Sequence, residues 1–250
     1  MALVALRRFE VAGLRVALRA DDPLPLPLRE LLGRLARLSP GTGPPALRYD
    51  LLLRPARKRV VRDGRSIYAG RLVRDAVDAL EFDLLVTLAA RAAATPLHAA
   101  ALAHAGRGLL LAGASGAGKS SLTRALLARG ARYLGDEHAF LHEDLAVQGL
   151  PRAIAVEGAP PLLPPAERVE HRPVPVRLVA LLETPRRADA GPTPLPPAQA
   201  AARLLAAIYR PPRPEDLRRV TRLAAQVPVV ELRREGVEAA AGLLLEALPG

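Results

Sequence analysis

Apolar and polar positions alternate with a period of two on either side of Gly13. Leu14, Val16 and Leu18 share one face, and Arg15 and Arg19 lie on the other. This pattern predicts two strands within residues 1–20. Prolines at 23, 25 and 27 make the next stretch a loop, because proline cannot continue a helix. Over 28–38 the period lengthens, with Leu28, Leu31, Leu32, Leu35 and Leu38 on one helical face. Strands are predicted at 46–53 and 57–62. Asp63-Gly64 is a hairpin turn leading to a strand at 66–69. A long helix is predicted over 71–94, with Leu72, Val73, Ala76, Leu80, Leu84, Leu85 and Leu88 on its apolar side.

Thr95-Pro96 ends that helix. Residues 97–104 and the apolar run 109–112 then read as two strands joined by Gly106-Arg107-Gly108. A helix over 122–127 follows, and then a short strand over 130–134. A hairpin from 139–142 and 145–148 comes next, then a strand at 152–156. Residues 158–176 are proline-rich and read as irregular. The continuous apolar run at 177–183 predicts a buried strand, and 191–197 a loop. Helices at 198–209 and 214–226, a strand at 227–232 and a helix at 236–247 complete the pattern. The predicted class is α/β, or α+β taken overall. A small N-terminal α+β unit (1–94) precedes a domain with a mixed sheet and flanking helices (95–250). No internal repeat is visible.

Composition narrows the functional classes. The 250 residues contain no cysteine, which excludes disulfides, thiolate metal sites and a cysteine nucleophile. No apolar run is long enough for a membrane span. Residues 1–6 lack the basic n-region of a signal peptide, so a cytoplasmic location is expected. The net charge of +11 is divided between residues 1–90 and 91–250 and forms no block. Aromatic residues make up 3%, leaving few stacking platforms, which argues against nucleic acid as a partner.

One stretch carries specific chemistry. Gly113-Ala114-Ser115-Gly116-Ala117-Gly118-Lys119-Ser120 reads G-x-x-x-x-G-K-S, with Ser121 next. It lies between a strand and a helix, the context a phosphate-binding loop requires. Glycines let backbone N–H groups turn inward, and the following helix adds its N-terminal dipole. Lys119 would reach the β- and γ-phosphates, and Ser120 would bind Mg²⁺. The chain has only one other lysine, Lys58, and writes the rest of its positive charge as arginine. A compact ammonium fits between phosphates where a planar guanidinium does not.

A phosphoryl-transfer site also needs a carboxylate near the loop. Asp136-Glu137, 17 residues beyond Lys119, follows the strand expected to return beside the loop. Glu183, at the end of the 177–183 run, is the alternative. Together these residues resemble the HPr kinase/phosphorylase-like family. That family has a His before the loop, the loop itself and an acidic pair after a short helix. Here these are His98, Gly113–Ser120 and the run Gly130-Ala-Arg-Tyr-Leu-Gly-Asp136-Glu137.

The resemblance covers about 60 residues. It implies a phosphoenolpyruvate-carboxykinase-like core, with ATP and Mg²⁺ as cofactors and phosphoryl transfer to a hydroxyl, often a serine. It assigns Asp136 as the general base, with Ser120 and Glu137, and Asp136 itself, around the metal. His98 is placed near the reacting phosphate, and Arg152, in a Pro-Arg segment, is a candidate phosphate or substrate contact. The acceptor is a peptide, a protein or a small molecule. The family tends to form rings, so a homo-oligomer is admitted, and the residues themselves leave it open.

The chain departs from true HPr kinases after Val156, where a proline-rich loop stands in place of their second signature. Two further classes stay open on the residues alone. One is an ATPase or nucleotide switch using Glu183 to polarise water, and the other is a non-catalytic nucleotide-binding module. A conventional GTPase is excluded, because the chain has no asparagine for an N-K-x-D motif.

Overall fold

The computed structural model describes residues 4–21, 23–36, 38–183, 191–233 and 236–249, with the side chains of 4–6 left aside. Residues 1–3 of the first predicted strand and Arg37 of the first predicted helix lie outside the described residues. The chain forms two compact units, Met1–Ala93 and Ala94–Gly250. The fold is mixed α/β.

The N-terminal unit runs β1 (Val4–Val11), β2 (Leu14–Ala20), α1 (Leu26–Leu35), β3 (Leu47–Arg54), β4 (Arg57–Arg62), β5 (Arg65–Gly70) and α2 (Val73–Arg91). Its five strands pair in chain order; β2 and β3 are parallel and the others antiparallel. Helix α1 starts earlier than the prolines suggested, because Pro27 sits in its first turn, where no N–H is needed. The period-two pattern buries Phe9, Val16, Leu18, Leu47, Tyr49 and Leu51. Helices α1 and α2 bury Leu28, Leu31, Leu35, Leu80, Leu84 and Leu88 in the same unit.

The second unit begins with β6 (Thr95–Leu97), β7 (Ala99–His104), β8 (Arg107–Gly113), α3 (Lys119–Ala128) and β9 (Arg132–Gly135). Next come β10 (Ala139–Leu141), β11 (Ala146–Gly149), β12 (Ile154–Val156), β13 (Ala159–Leu162) and a 3₁₀ turn at Ala166–Arg168. It ends with β14 (Val174–Leu182), β15 (Thr193–Pro194), α4 (Pro197–Ala206), α5 (Pro214–Gln226), β16 (Val229–Leu232) and α6 (Val237–Glu246). The region read as irregular holds β13, the 3₁₀ turn and the start of β14. Prolines 160 and 161 were compatible with β13 because it pairs with β12 alone.

Strands β8 and β16 flank β14 in parallel, while β7 runs antiparallel to both β8 and β9. Strands β8, β9, β14 and β16 therefore all end at one edge. Continuous apolar runs suit strands covered on both faces. Leu110, Ala112, Val179 and Leu181 join α4 and α5 in one core. Leu109, Leu111, Ala180 and Leu182 join α3 and α6 in the other. Each such leucine contributes about 1.5–3 kcal/mol by leaving water.

The single strand predicted over 97–104 is in fact two. Strand β6 pairs with β10, whereas β7 pairs with β8 and β9. His98 occupies the break, where its N–H donates to the Ala207 carbonyl at 2.7 Å instead of to a ladder.

Candidate functional site

The shared strand edge gathers the residues singled out in the sequence. Gly113 ends β8 opposite Leu182 at the end of β14. Asp136 follows β9, Glu183 follows β14, and His98 immediately precedes β7. In open α/β sheets this carboxyl edge is where ligands bind. A cleft of about 340 Å³ opens there, lined by His98, Gly113, Ala114, Leu182, Glu183 and Arg203 among others.

From Ala114 the chain curls back to enter α3. Gly116 (φ 79°) and Gly118 (φ 85°) adopt left-handed backbone that side chains disfavour. Gly118 is the N-cap of α3, and no side chain caps the helix. Its first N–H groups are left to another acceptor. Ser115 and Ala117 lie within this curl. Lys119, Ser120 and Ser121 form the first turn of α3.

Lys119 is buried and folds back over the loop, donating to the carbonyls of Gly113 (2.8 Å) and Ala114 (3.1 Å). Burial holds its ammonium below the ordinary lysine range, against the pull of Asp136 and Glu137.

The Ser120 hydroxyl donates to Asp136 Oδ2 at 2.7 Å. Asp136 is 4% exposed, and its other oxygen, Oδ1, is buried without a hydrogen-bond partner. Burial pushes its carboxyl above the usual aspartate value, and the Glu137 charge adds to the push; the Ser120 hydrogen bond and Lys119 oppose it. A buried unpaired carboxylate oxygen is costly, and such cost concentrates where a ligand completes the site.

Strand β9 is held in place by close backbone contact. A Cβ at Gly149 would stand 2.4 Å from the Leu134 carbonyl carbon and oxygen. Only glycine lets β11 cross this closely over the residues that lead to Asp136.

Glu137 lies elsewhere in the site. It has left-handed backbone (φ 70°), an exposed side chain, and Arg152 as its partner at 3.5 Å. Its carboxylate therefore faces Arg152, and Asp136 is the one bonded to Ser120. Arg152 stands between β11 and β12, and its carbonyl accepts from the fully buried Tyr133 hydroxyl at 3.0 Å. Burial raises the Tyr133 phenol well above its ordinary range, so it acts as a neutral donor.

His98 is half-buried. Burial, and then the Lys119 charge, hold its imidazole below the ordinary histidine value despite Glu137 and Asp136. This shift favours the neutral imidazole. Glu183 reaches the cleft, but its carboxylate is held by Arg203 at 2.5 Å, and Arg203 also binds Glu231 at 2.6 Å.

Three side chains near the site were not singled out from the sequence. Arg203, on α4, lines the cleft. His138 follows the acidic pair, with Nδ1 3.1 Å from the Tyr209 hydroxyl and its ring edge-on to that tyrosine. Tyr209 lies 71 residues away in the chain, so no local motif could link them. The position of His138 beside Asp136-Glu137 was the only available cue.

No family model matches the chain, and no curated protein does. Among solved structures, the HPr(Ser) kinase/phosphatase of Coxiella burnetii is similar. It is 20% identical, with a TM-score of 0.43, over 61% of this chain and 95% of that one. No helix among the described residues is long and apolar enough to cross a membrane.

Proposed function

We propose that the protein is an ATP- and Mg²⁺-dependent kinase transferring the γ-phosphoryl group to a hydroxyl of a peptide, protein or small molecule. The catalytic domain is residues 95–250, with an HPr-kinase-like core, and residues 1–94 accompany it. One observation carries the reading. Asp136 stands at the mouth of a glycine-rich loop with one oxygen bonded to Ser120 and the other buried and unpartnered.

Gly113–Ser121 would hold the polyphosphate through backbone N–H groups and the start of α3. Lys119, already turned into the loop, would exchange two carbonyls for phosphate oxygens. The acceptor hydroxyl would give its proton to the Asp136 carboxylate as its oxygen forms the new bond to the γ-phosphorus. The bond to the β-phosphate breaks and ADP leaves. Neutral His98 would hydrogen-bond the reacting phosphate from the cleft, and Arg152 would meet a phosphate or the acceptor at the rim.

Mg²⁺ takes only one or two protein carboxylates and fills its shell with phosphate and water. Ser120 with Asp136 or Glu137 fits that requirement, and no cluster of three or more metal-ligating side chains stands among the described residues. When bound, the ion would neutralise charge on the phosphates.

The test pairs calorimetric titration of Mg·ATP with transfer from γ-labelled ATP to a panel of seryl peptides and polyols. Lys119→Ala should weaken nucleotide binding at least about tenfold. Asp136→Asn should bind normally and lose about 10²–10⁴-fold in transfer. Undiminished transfer by Asp136→Asn, or a parent chain that does not bind Mg·ATP, overturns the assignment.

A further inference from the structure

The outward face of the N-terminal sheet holds a second built feature. Cross-strand register places Arg8 of β1 opposite Ala17 of β2, and Ala17 opposite Arg48 of β3. A small side chain thus lies between two long ones, with the arginine backbones roughly 10 Å apart at ordinary strand spacing. A pocket of about 130 Å³ opens over this row, lined by Arg7, Arg8, Ala17, Arg19, Pro45 and Arg48 among others. Arg8, Arg19 and Arg48 stand on the outward face and border this one small concavity, while Arg7, opposite the buried Leu18, turns to the inner face.

Their partners leave that charge largely uncompensated. Arg19 is bound by Asp50 through two bonds, 2.6 and 2.7 Å. Arg7 donates to the Ala36 carbonyl, and its Nε is buried with no hydrogen-bond partner. Among the described residues, the side chains of Arg8 and Arg48 have neither an ion pair nor a hydrogen bond. Among the described residues Asp50 is the carboxylate paired with these three outward arginines, so about two positive charges remain.

We propose that this notch is a binding site for a phosphate monoester. Its volume admits one oxyanion and the group that bears it. Arg8 and Arg48 approach from opposite strands. A tetrahedral dianion offers acceptors in both directions, whereas a planar carboxylate presents one edge. The residual charge exceeds that of a single carboxylate and suits a dianion. Pro45 and the Ala17 methyl supply an apolar floor for the ester carbon. The ester can be a phosphoserine on a polypeptide or a small phosphorylated metabolite. The site lies wholly within the first unit and does not depend on the kinase reading.

The test uses the full chain carrying Lys119→Ala, so that the glycine-rich loop does not add phosphate binding of its own. Inorganic phosphate, glycerol phosphate, a phosphoserine peptide and the same peptide with Ser or Glu are titrated, with backbone amide shifts of β1–β3 as the readout. Saturable binding of the phosphorylated probes is expected at the Arg8, Ala17 and Arg48 amides. The arm that binds most tightly identifies the source of the ester.

Arg8→Gln and Arg48→Gln should each weaken binding about tenfold or more. Ala17→Leu, which fills the notch without changing charge, should weaken it similarly. Arg59→Gln, on the same sheet outside the notch, should leave it unchanged. The proposal is overturned by any of four results: no saturable binding, an equal loss in Arg59→Gln, no loss in Ala17→Leu, or equal binding of the Glu peptide.

Discussion

Asp136 is costly for stability where it stands, buried with one oxygen bonded to Ser120 and the other unpartnered. Burial raises the Asp136 carboxyl above its ordinary value. For a carboxyl raised in the folded state, the stabilising contribution is complete below the unfolded value and is lost as pH rises through the folded one. Asp136→Asn should therefore melt higher than the parent at pH 7, with the gap closing in scans below the ordinary aspartate range. Under the proposed transfer reaction, the same shift would set the acid limb of activity. Transfer should fall at a pH above that of a solvated aspartate, and His98→Gln should leave the limb in place if Asp136 owns it. The loop and acidic pair were legible as a motif because spacing alone encodes them. The separation of the two carboxylates, one at Ser120 and one at Arg152, was not legible. It depends on the left-handed turn at Glu137, which aims the second carboxylate at Arg152.

Among the elements, the glycine contact between β9 and β11 sets the position of the site. Gly149→Ala has no room, since its Cβ would meet backbone that cannot rotate away. It should destabilise the second unit by about 1–3 kcal/mol, measured by urea unfolding, and should reduce transfer further than the stability loss explains. A second anchor pins β6 ahead of His98. Asp216, fully buried at the start of α5, accepts from Thr95 (2.7 Å), Arg210 (2.6 and 3.0 Å) and the Arg213 N–H (2.7 Å). Burial pushes its carboxyl up, but these donors outweigh it and the net shift is downward. Stability from this group is present above the ordinary aspartate value and lost as pH falls through the lowered one. Asp216→Ala should cost about 3–5 kcal/mol at pH 7 and proportionally less in matched melts at pH 3. Most helices and strands were readable from period alone. The break at His98 was not, because a strand that changes partners keeps the same alternation on both sides of the change. Strand β13 was also missed, since Pro160 and Pro161 argue locally against pairing and only the partner β12 favours it.

At the scale of the molecule, each unit carries its own sheet and its own core. Damage should therefore remain local. Hydrogen exchange on Gly149→Ala should rise across β7–β9 and leave the β3 amides of the first unit at parental rates; equal acceleration in both would show one cooperative block. The basic surplus is spread over both units, so the arginine notch differs from its surroundings in shape rather than in charge alone. Finally, the chain passes between the units once, at Ala93–Ala94, between the end of α2 at Arg91 and the start of β6 at Thr95. A different front half could be spliced ahead of that junction without cutting a helix or strand. Lineages could thus exchange the first sheet and its helices while inheriting the second unit unaltered.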